Sequence, residues 1–195
     1  MESFNVVSVK NYAEPPINYK EILRYSGMKE SATEIENLIN ECLNELNGKL
    51  DYRVCFTTLP LKMGNVVDFT TFSVNSKSLQ KTLNGYDRVI LFVATVGLEI
   101  DRLIKKYSVI SPTKAVIFQA IGAERIEELC NAFENDIKQT YQTSKRFSCG
   151  YGDFDILYQK EIFKVLNPQK LIGVTLLDSM LMLPSKSVSA VIGVK

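Results

Sequence analysis

The sequence predicts a mixed α+β fold, with an antiparallel or mixed sheet flanked by helices. Residues 35–46 repeat apolar side chains at helical spacing, and Arg88–Thr95 is a continuous apolar run typical of a strand buried on both faces. Helix and strand patterns alternate too irregularly along the 195 residues for a doubly wound parallel sheet. We therefore expect a single α+β domain over residues 1–195.

Capping patterns predict two helices near the N-terminus. Asn18-Tyr-Lys-Glu21 and Ser31-Ala-Thr-Glu34 have the spacing of capping boxes, and Gly27 and Gly48 provide the matching stop signals. The apolar stripe of the second helix lies between these signals.

The remaining elements follow from apolar runs, β-branched residues and helix breakers. The strands are expected at Tyr52–Thr58, Val66–Val74, Arg88–Thr95, Leu171–Leu177 and Val188–Val194. The helices are expected at Ser78–Leu83, after the turn at Gly97, over Thr113–Gln142 behind Pro112, and from Asp155 to Leu166. The helix behind Pro112 is the longest and is expected to be central to the fold.

Charge and composition exclude several classes of function. The 23 Lys+Arg and 22 Asp+Glu residues leave a net charge of +1, too little to hold nucleic acid. No His is present, which excludes Ser-His and Cys-His nucleophile systems and His-ligated zinc, haem or corrinoid. The longest apolar stretch, Val89–Ala94, is far too short to cross a membrane, and residues 1–20 lack a signal-peptide pattern. We expect a cytoplasmic protein that binds neither nucleic acid nor membrane.

The cysteines are expected to be reduced thiols rather than disulfides. Cys42 and Cys130 lie on predicted apolar stripes, and Cys55 lies in a strand. Cys149 lies near Arg146 in a loop, where it is either structural or a reactive thiol whose pKa the cation lowers.

Two other polar features are open to two interpretations. The junction Thr95-Val-Gly97 is either a tight turn or a phosphate site. Carboxylates of the long helix, such as Glu124, Glu127 and Glu134, either line its solvated face or act as acid and base. Gly122, beside Glu124, would permit the close approach of a ligand.

The loop Lys145–Phe154 combines an arginine, two glycines, three aromatic residues and an acid. An arginine presents a two-pronged donor to a carboxylate, and aromatic rings cover flat or cationic groups. On composition alone, this stretch is either a structural loop or a ligand-binding loop.

Two motifs at matching separation extend this observation. The first is Arg146-Phe-Ser-Cys-Gly150-Tyr151, and the second is Ser179-Met-Leu-Met182-Leu-Pro184-Ser-Lys-Ser187-Val188-Ser189. Together with Ala123-Glu124-Arg125 upstream, they resemble the activation domain of cobalamin-dependent methionine synthase, which binds S-adenosylmethionine. The resemblance covers residues 111–193 and is weak over residues 1–110, which look more like stand-alone, single-domain relatives.

The resemblance implies S-adenosylmethionine as the ligand and cobalamin held by a partner. Arg146 would bind the methionyl carboxylate, the neighbouring backbone would meet the adenine side, and Tyr151 would pack in the loop. The implied binding residues are Arg146, Ser148, Cys149, Gly150 and Tyr151, with Glu124 and Asp153 as further candidates. We expect no catalytic residue and no metal ligand in this chain, because the partner's cobalt is the nucleophile.

Two functions follow as hypotheses. The first is reductive reactivation of a cobalamin-dependent methionine synthase, in which this chain supplies bound S-adenosylmethionine to the partner's cobalamin-binding domain. The alternative is a non-catalytic module that docks on a corrinoid protein without binding S-adenosylmethionine. A methyl-transfer component serving another corrinoid protein is a third, weaker interpretation.

Overall fold

A computed structural model describes residues 6–28 and 33–195 of the chain. The strands are β1 (Ser8–Asn11), β2 (Arg53–Pro60), β3 (Lys62–Met63), β4 (Val67–Asp68), β5 (Ser73–Val74), β6 (Arg88–Thr95), β7 (Thr175–Leu176), β8 (Met182–Leu183) and β9 (Ser187–Val194). The helices are α1 (Tyr19–Ser26), α2 (Thr33–Leu46), α3 (Lys77–Leu83), α4 (Glu99–Ile110), α5 (Pro112–Lys138), α6 (Gln159–Leu166) and α7 (Pro168–Ile172), with a 3₁₀ turn at Ile156–Tyr158.

The main sheet has four antiparallel strands in the order β1-β2-β6-β9 and is covered by helices on both faces. Ile90 and Phe92 of β6 belong to a core formed with α1, α2, α4 and α5. Val89 and Leu91 of the same strand belong to a second core, formed with α3, α6 and α7. This alternation explains why β6 is apolar at nearly every position, and it confirms the predicted α+β fold with one long helix.

The caps predicted near the N-terminus are partly visible. The side chain of Asn18 accepts a hydrogen bond from the N–H of Glu21 (3.4 Å), and Gly27 ends α1 in a left-handed conformation. The predicted cap at Ser31 lies outside the described residues. The apolar stripe behind it forms α2, in which Ile39 and Cys42 are fully buried.

The predicted strand Val66–Val74 is wrong. The chain reverses inside this stretch, so that β4 and β5 pair with each other as an antiparallel hairpin. The turn is closed by a hydrogen bond from the N–H of Phe69 to the C=O of Phe72 (3.0 Å), and the carboxylate of Asp68 accepts from the N–H of Thr70 (2.8 Å). An Asp side chain that bonds to the backbone two residues on favours such a turn over an extended strand.

The predicted strand Leu171–Leu177 is also wrong in its first half. Asn167 adopts a left-handed conformation at the end of α6, Pro168 opens α7, and Gly173 ends it. Leu171 therefore lies in a helix, and only Thr175–Leu176 is extended. A short apolar run carries no periodicity that separates the two structures.

The long helix α5 ends at Lys138, four residues earlier than predicted. The chain then turns so that Gln142 and Lys195 exchange backbone hydrogen bonds (3.0 and 3.1 Å). Residues 139–142 therefore leave the helix and bring the chain to the end of β9.

The junction Thr95–Gly97 is a tight turn between β6 and α4. The N–H of Gly97 donates to Oγ1 of Thr95 (3.2 Å), and the C=O of Val96 accepts from the N–H of Asp51 (3.1 Å). These internal bonds give the junction a structural role.

Gly122 permits close packing within the protein rather than the approach of a ligand. A Cβ at this position would lie 2.7 Å from Ile100 and 2.8 Å from the side chain of Lys186. The glycine therefore allows α5 to lie against α4 and the chain that precedes β9.

Glu124 and Arg125 form a buried ion pair that fastens the N-terminal segment to α5. Both residues are 1% exposed, and Nε of Arg125 lies 2.5 Å from Oε2 of Glu124. Arg125 also donates to the C=O groups of Pro15 (2.6 Å) and Pro16 (2.8 Å), while Glu124 accepts from the N–H of Asn18 (2.8 Å). Of the two interpretations of Glu124, the one that places it on the solvated face is therefore wrong.

Asp153 fastens the loop that follows α5 to the start of α3. Its carboxylate accepts from the hydroxyl of Ser76 (2.6 Å) and from the N–H groups of Lys77 (2.7 Å) and Ser78 (3.0 Å). Hydrogen bonds from Ser76 and from these backbone amides lower the pKa of Asp153. The hydroxyl of Ser76 in turn caps α3 by accepting from the N–H of Leu79 (3.0 Å).

Within residues 6–28 and 33–195, no helix has the combined length and apolar character needed to cross a membrane.

The buried ion pair predicts a large effect of Arg125→Met on stability. The substitution leaves the carboxylate of Glu124 buried without its cation, and breaking such a pair costs about 3–5 kcal/mol. Urea unfolding of the two proteins measures the difference. Arg24→Met serves as the control, because it removes an exposed arginine paired with Glu21 on α1 and should leave stability nearly unchanged. A small effect of Arg125→Met would contradict the anchoring role.

Asp153→Asn should lower the melting temperature at pH 7, because an amide replaces a carboxylate that accepts three hydrogen bonds. The pKa of Asp153 is lowered on folding, so its contribution is complete above the unfolded value of about 3.9 and is lost as the pH falls through the folded value. Thermal melts should therefore show the gap between wild type and variant shrinking below about pH 4. Asp178→Asn, at an exposed position, is the control. A gap that is independent of pH would contradict this assignment.

Candidate functional site

A cavity of about 360 Å³ opens between the loop after α5, the N-terminal half of β9, and α6. We call it the loop cavity. Its lining consists of Glu127, Arg146, Phe147, Ser148, Cys149, Tyr151, Gln159, Met182, Ser187, Val188 and Ser189. The two sequence motifs therefore meet at one place in the fold.

The cavity exists because the loop pairs with only part of β9. Phe147 and Val191 exchange backbone hydrogen bonds (3.0 and 2.9 Å), and Ser144 binds Gly193 through its N–H and its hydroxyl (2.9 and 2.8 Å). Beyond Phe147 the loop leaves the strand. Because backbone groups alternate in direction along an antiparallel strand, the N–H and C=O groups of Ser187 and Ser189 face the same side as those of Val191, toward the cavity.

Arg146 lies in the wall of the cavity, held by two carboxylates of α5. Its Nη2 lies 2.6 Å from Oε2 of Glu127, and its Nε lies 3.2 Å from Oε1 of Glu134. Burial disfavours the charged guanidinium, yet the interactions with Cys130, Glu127 and Glu134 outweigh it and raise the pKa of Arg146. The arginine is therefore a permanent cation in a site where acidic partners already hold it.

A rigid polar wall faces Arg146 across the cavity. The side-chain amide of Gln159 donates to the C=O of Met180 (3.0 Å) and accepts from the hydroxyl of Ser189 (3.0 Å), and Gln159 itself is buried. The hydroxyl of Ser187 contacts Oγ1 of Thr95 (2.9 Å). These bonds tie α6, the β7–β8 connection and β9 together, so this wall is organised before any ligand arrives.

The interpretation of Cys149 as a reactive thiol is wrong. Burial raises the pKa of Cys149 to about 12, and the guanidinium of Arg146 is turned toward Glu127 and Glu134. The thiol is therefore protonated near neutral pH and lines the cavity as a weakly polar group. All four cysteines are buried and free.

The structure brings four of the five implied binding residues to the cavity: Arg146, Ser148, Cys149 and Tyr151. Tyr151 lies at the mouth and is 67% exposed, instead of packing in the loop. Gly150 is not part of the lining, and its N–H donates to the C=O of Phe154 (2.7 Å) within the loop.

The two further candidates have other partners. Glu124 is held by Arg125 and by the backbone of Asn18, and Asp153 is held by α3. Neither carboxylate lines the loop cavity. Glu124 instead holds the N-terminal segment on α5, and Asp153 holds the loop after α5 on α3.

Sequence reasoning missed Glu127, Glu134 and Gln159 as parts of the site. Glu127 and Glu134 lie seven residues apart on α5, with Cys130 between them, a spacing that places all three on one face of a helix. This signal was present, but nothing in the sequence shows that Arg146 folds back onto that face.

A second cavity, of about 330 Å³, lies on the α1 side of α5. It is lined by Arg24 and several acidic side chains, and Glu127 borders it as well as the loop cavity. Glu127 therefore forms part of the wall of both cavities.

The arrangement is suited to binding rather than to proton transfer through a cysteine or histidine. The loop cavity offers a fixed cation, the hydroxyls of three serines and one tyrosine, outward-facing backbone groups and two aromatic rings. Among the described residues, no cluster of three or more His, Cys, Asp or Glu side chains is arranged to hold a metal ion.

All the residues that line this cavity lie in a part of the chain that matches a known family. Residues 127–195 match the family described as vitamin B12 dependent methionine synthase, activation domain. By structure, 98% of this chain superposes on 79% of the chain in a structure described as "Crystal Structure of the MetH Reactivation Domain bound to AdoHcy", with a TM-score of 0.68 and 17% identity. No curated protein matches the sequence.

At this identity the structural likeness establishes the fold, and the family match covers the C-terminal third, which contains the loop after α5 and β9. The resemblance to the activation domain of vitamin B12 dependent methionine synthase is thereby confirmed, in sequence over residues 127–195 and in fold over nearly the whole chain.

Proposed function

We propose that this chain binds S-adenosylmethionine in the loop cavity and presents its methyl group to cobalamin held by a methionine synthase or another corrinoid protein. In this role it supports reductive reactivation of the partner. The observation that carries the proposal is the position of Arg146 in the wall of a cavity that both family motifs line. The similar reactivation domain was solved with AdoHcy, the demethylated product of that methyl donor.

The chemistry of the lining supports an adenosyl amino acid. A guanidinium binds a carboxylate through charge-assisted hydrogen bonds, which suits the methionyl end of the ligand. The outward-facing backbone of Ser187 and Ser189 offers both donors and acceptors to a heterocycle. A volume of about 360 Å³ is within the range of cavities that hold ligands of this size.

The role of this chain would be to bind and orient the methyl donor. When cobalamin is bound by the partner, its reduced cobalt supplies the nucleophile. With no His in its sequence, this chain has no imidazole to offer that metal. The pKa of Cys149, raised to about 12, keeps this thiol of the cavity wall protonated, so it is a poor competitor for the methyl group. The four buried, free thiols support the expectation of a reducing, cytoplasmic setting.

Exposed side chains adjoining the cavity lining support docking on a partner. Four large side chains that line the cavity, or lie within two residues of its lining in sequence, are exposed by 45–67%, and we call them the rim. They are Tyr151, Leu157, Leu181 and Leu183. Exposed apolar patches mark surfaces that bind partners.

The alternative is a docking module that does not itself bind S-adenosylmethionine. The observation in its favour is that Glu127 and Glu134 already satisfy Arg146. A ligand carboxylate would have to compete with these two groups for the guanidinium.

Binding of the ligand distinguishes the two functions. Calorimetry with S-adenosylmethionine should show saturable binding that Arg146→Ala weakens about ten- to a hundredfold, because a charge-assisted hydrogen bond contributes roughly 1.5–3 kcal/mol. Arg102→Ala, which removes an exposed arginine of α4 that does not line the loop cavity, should bind like wild type. Thermal melts check that both variants are folded. Wild-type protein that fails to bind would favour the docking module.

Reactivation itself is tested anaerobically with a methionine synthase whose cobalamin is in the Co(II) state, a reductant and S-adenosylmethionine. Adding this protein should accelerate the appearance of methylcobalamin, followed by its visible absorbance, because the methyl donor is delivered at the cobalt. Leu181→Asp at the exposed rim should slow this reaction while leaving ligand binding intact. Equal rates with and without the protein would refute the proposed function.

A further inference from the structure

We propose that Glu127 is a latch on the binding site: it occupies Arg146 in the ligand-free protein and must release it before a ligand carboxylate binds. The inference rests on the proposed function and deepens it, because it names the residue that controls access to the arginine.

The three nitrogens of the guanidinium leave one route for a ligand. Nε is engaged by Glu134 at 3.2 Å, and Nη2 is engaged by Glu127 at 2.6 Å. Nη1 is buried, and no group of the described residues accepts a hydrogen bond from it. Because Nη1 is closed to solvent, a carboxylate that enters the cavity reaches Arg146 through Nη2, the nitrogen that Glu127 holds.

The two carboxylates differ in their freedom to leave. The side chain of Glu134 is 17% exposed and is also within 4.0 Å of Nζ of Lys138. The side chain of Glu127 is 40% exposed and borders both the loop cavity and the cavity beside α1. Glu127 therefore has space to turn away from Arg146, toward a cavity that Arg24 also lines.

Charge balance favours this exchange. One guanidinium already faces two carboxylates, Glu127 and Glu134, and with Lys138 beside Glu134 the two negative charges are already matched by two positive ones. A third carboxylate added to the same partly buried cluster would be repelled by both. If the ligand's carboxylate takes the place of Glu127, the number of carboxylates on Arg146 stays at two.

The latch predicts that Glu127 weakens binding of carboxylate-bearing ligands and of no others. The arginine's affinity for a ligand is reduced by the contact that has to be broken first, as for any site that competes with an internal partner. An adenosyl compound that lacks the amino-acid group has no carboxylate to bind Arg146, so its affinity should not depend on Glu127.

The test compares Glu127→Gln with Glu134→Gln, two substitutions that remove the same charge from the same helix and the same arginine. Calorimetry is run with S-adenosylmethionine, S-adenosylhomocysteine and 5′-methylthioadenosine, which has no carboxylate. Glu127→Gln should bind S-adenosylmethionine and S-adenosylhomocysteine about three- to tenfold more tightly than wild type, because a partly exposed ion pair no longer has to be broken. It should bind 5′-methylthioadenosine as wild type does. Glu134→Gln should tighten binding less than Glu127→Gln does, because it removes repulsion but leaves the contact between Glu127 and Nη2 to be broken. Thermal melts establish that each variant is folded.

Three results would overturn the latch. Weaker binding by Glu127→Gln would make Glu127 a direct ligand contact, and unchanged binding would make it a bystander. If both variants bind S-adenosylmethionine more tightly by the same factor, or if Glu127→Gln also binds 5′-methylthioadenosine more tightly, the effect comes from net charge alone. In each case the proposed function stands, because wild type still binds. If neither wild type nor the variants bind any of the three compounds, the latch and the binding function fall together.

Discussion

The site depends on how strand β9 is paired along its two edges. One edge is bonded to β6 over its full length, whereas the other is bonded to the loop only as far as Phe147, which pairs with Val191. The loop leaves the strand at that point, and the backbone of Ser187–Ser189 is left facing a cavity. An unpaired strand edge inside a fold is costly unless its polar groups find partners. This edge faces the place where we propose that the ligand binds.

The loop can leave the strand because other contacts hold it in position. Asp153 attaches it to α3, Arg146 attaches it to α5, and Gln159 ties the opposite wall to β9. These three bonds join elements that are far apart in sequence, so the cavity is formed by the tertiary structure as a whole. The pairing of Arg146 with two carboxylates has a second consequence, since the group best suited to bind a ligand is already engaged. In our proposal, binding and release at this site are an exchange of partners around one cation.

Much of the architecture could be predicted from local patterns. The strand Arg88–Thr95 is observed with the predicted bounds, and the caps at Asn18 and Gly27 limit α1 as expected. The errors lie where local patterns are ambiguous. Val66–Val74 has strand propensity throughout, yet Asp68 turns the chain, and Leu171 has equal reason to lie in a helix or a strand. The end of α5 was predicted four residues too late, and in the fold Gln142 instead pairs with Lys195, a contact between distant residues that local patterns do not show.

For the site, the sequence shows which residues are present but not what surrounds each of them in the fold. The Arg-x-x-x-Gly-Tyr and Ser-Val-Ser motifs indicate a family and a ligand class, because the chemistry of a guanidinium, a glycine or a hydroxyl belongs to the residue. The same sequence leaves Cys149 and Glu124 ambiguous, because pKa and availability depend on burial and on partners. Burial keeps Cys149 protonated, Arg125 occupies Glu124, and Glu127 meets Arg146 across a gap of nineteen positions. Local sequence determines helices, turns and the reactive groups that they carry. Which of these groups are free to meet a ligand is decided only when the folded chain brings distant charges together at hydrogen-bonding distance.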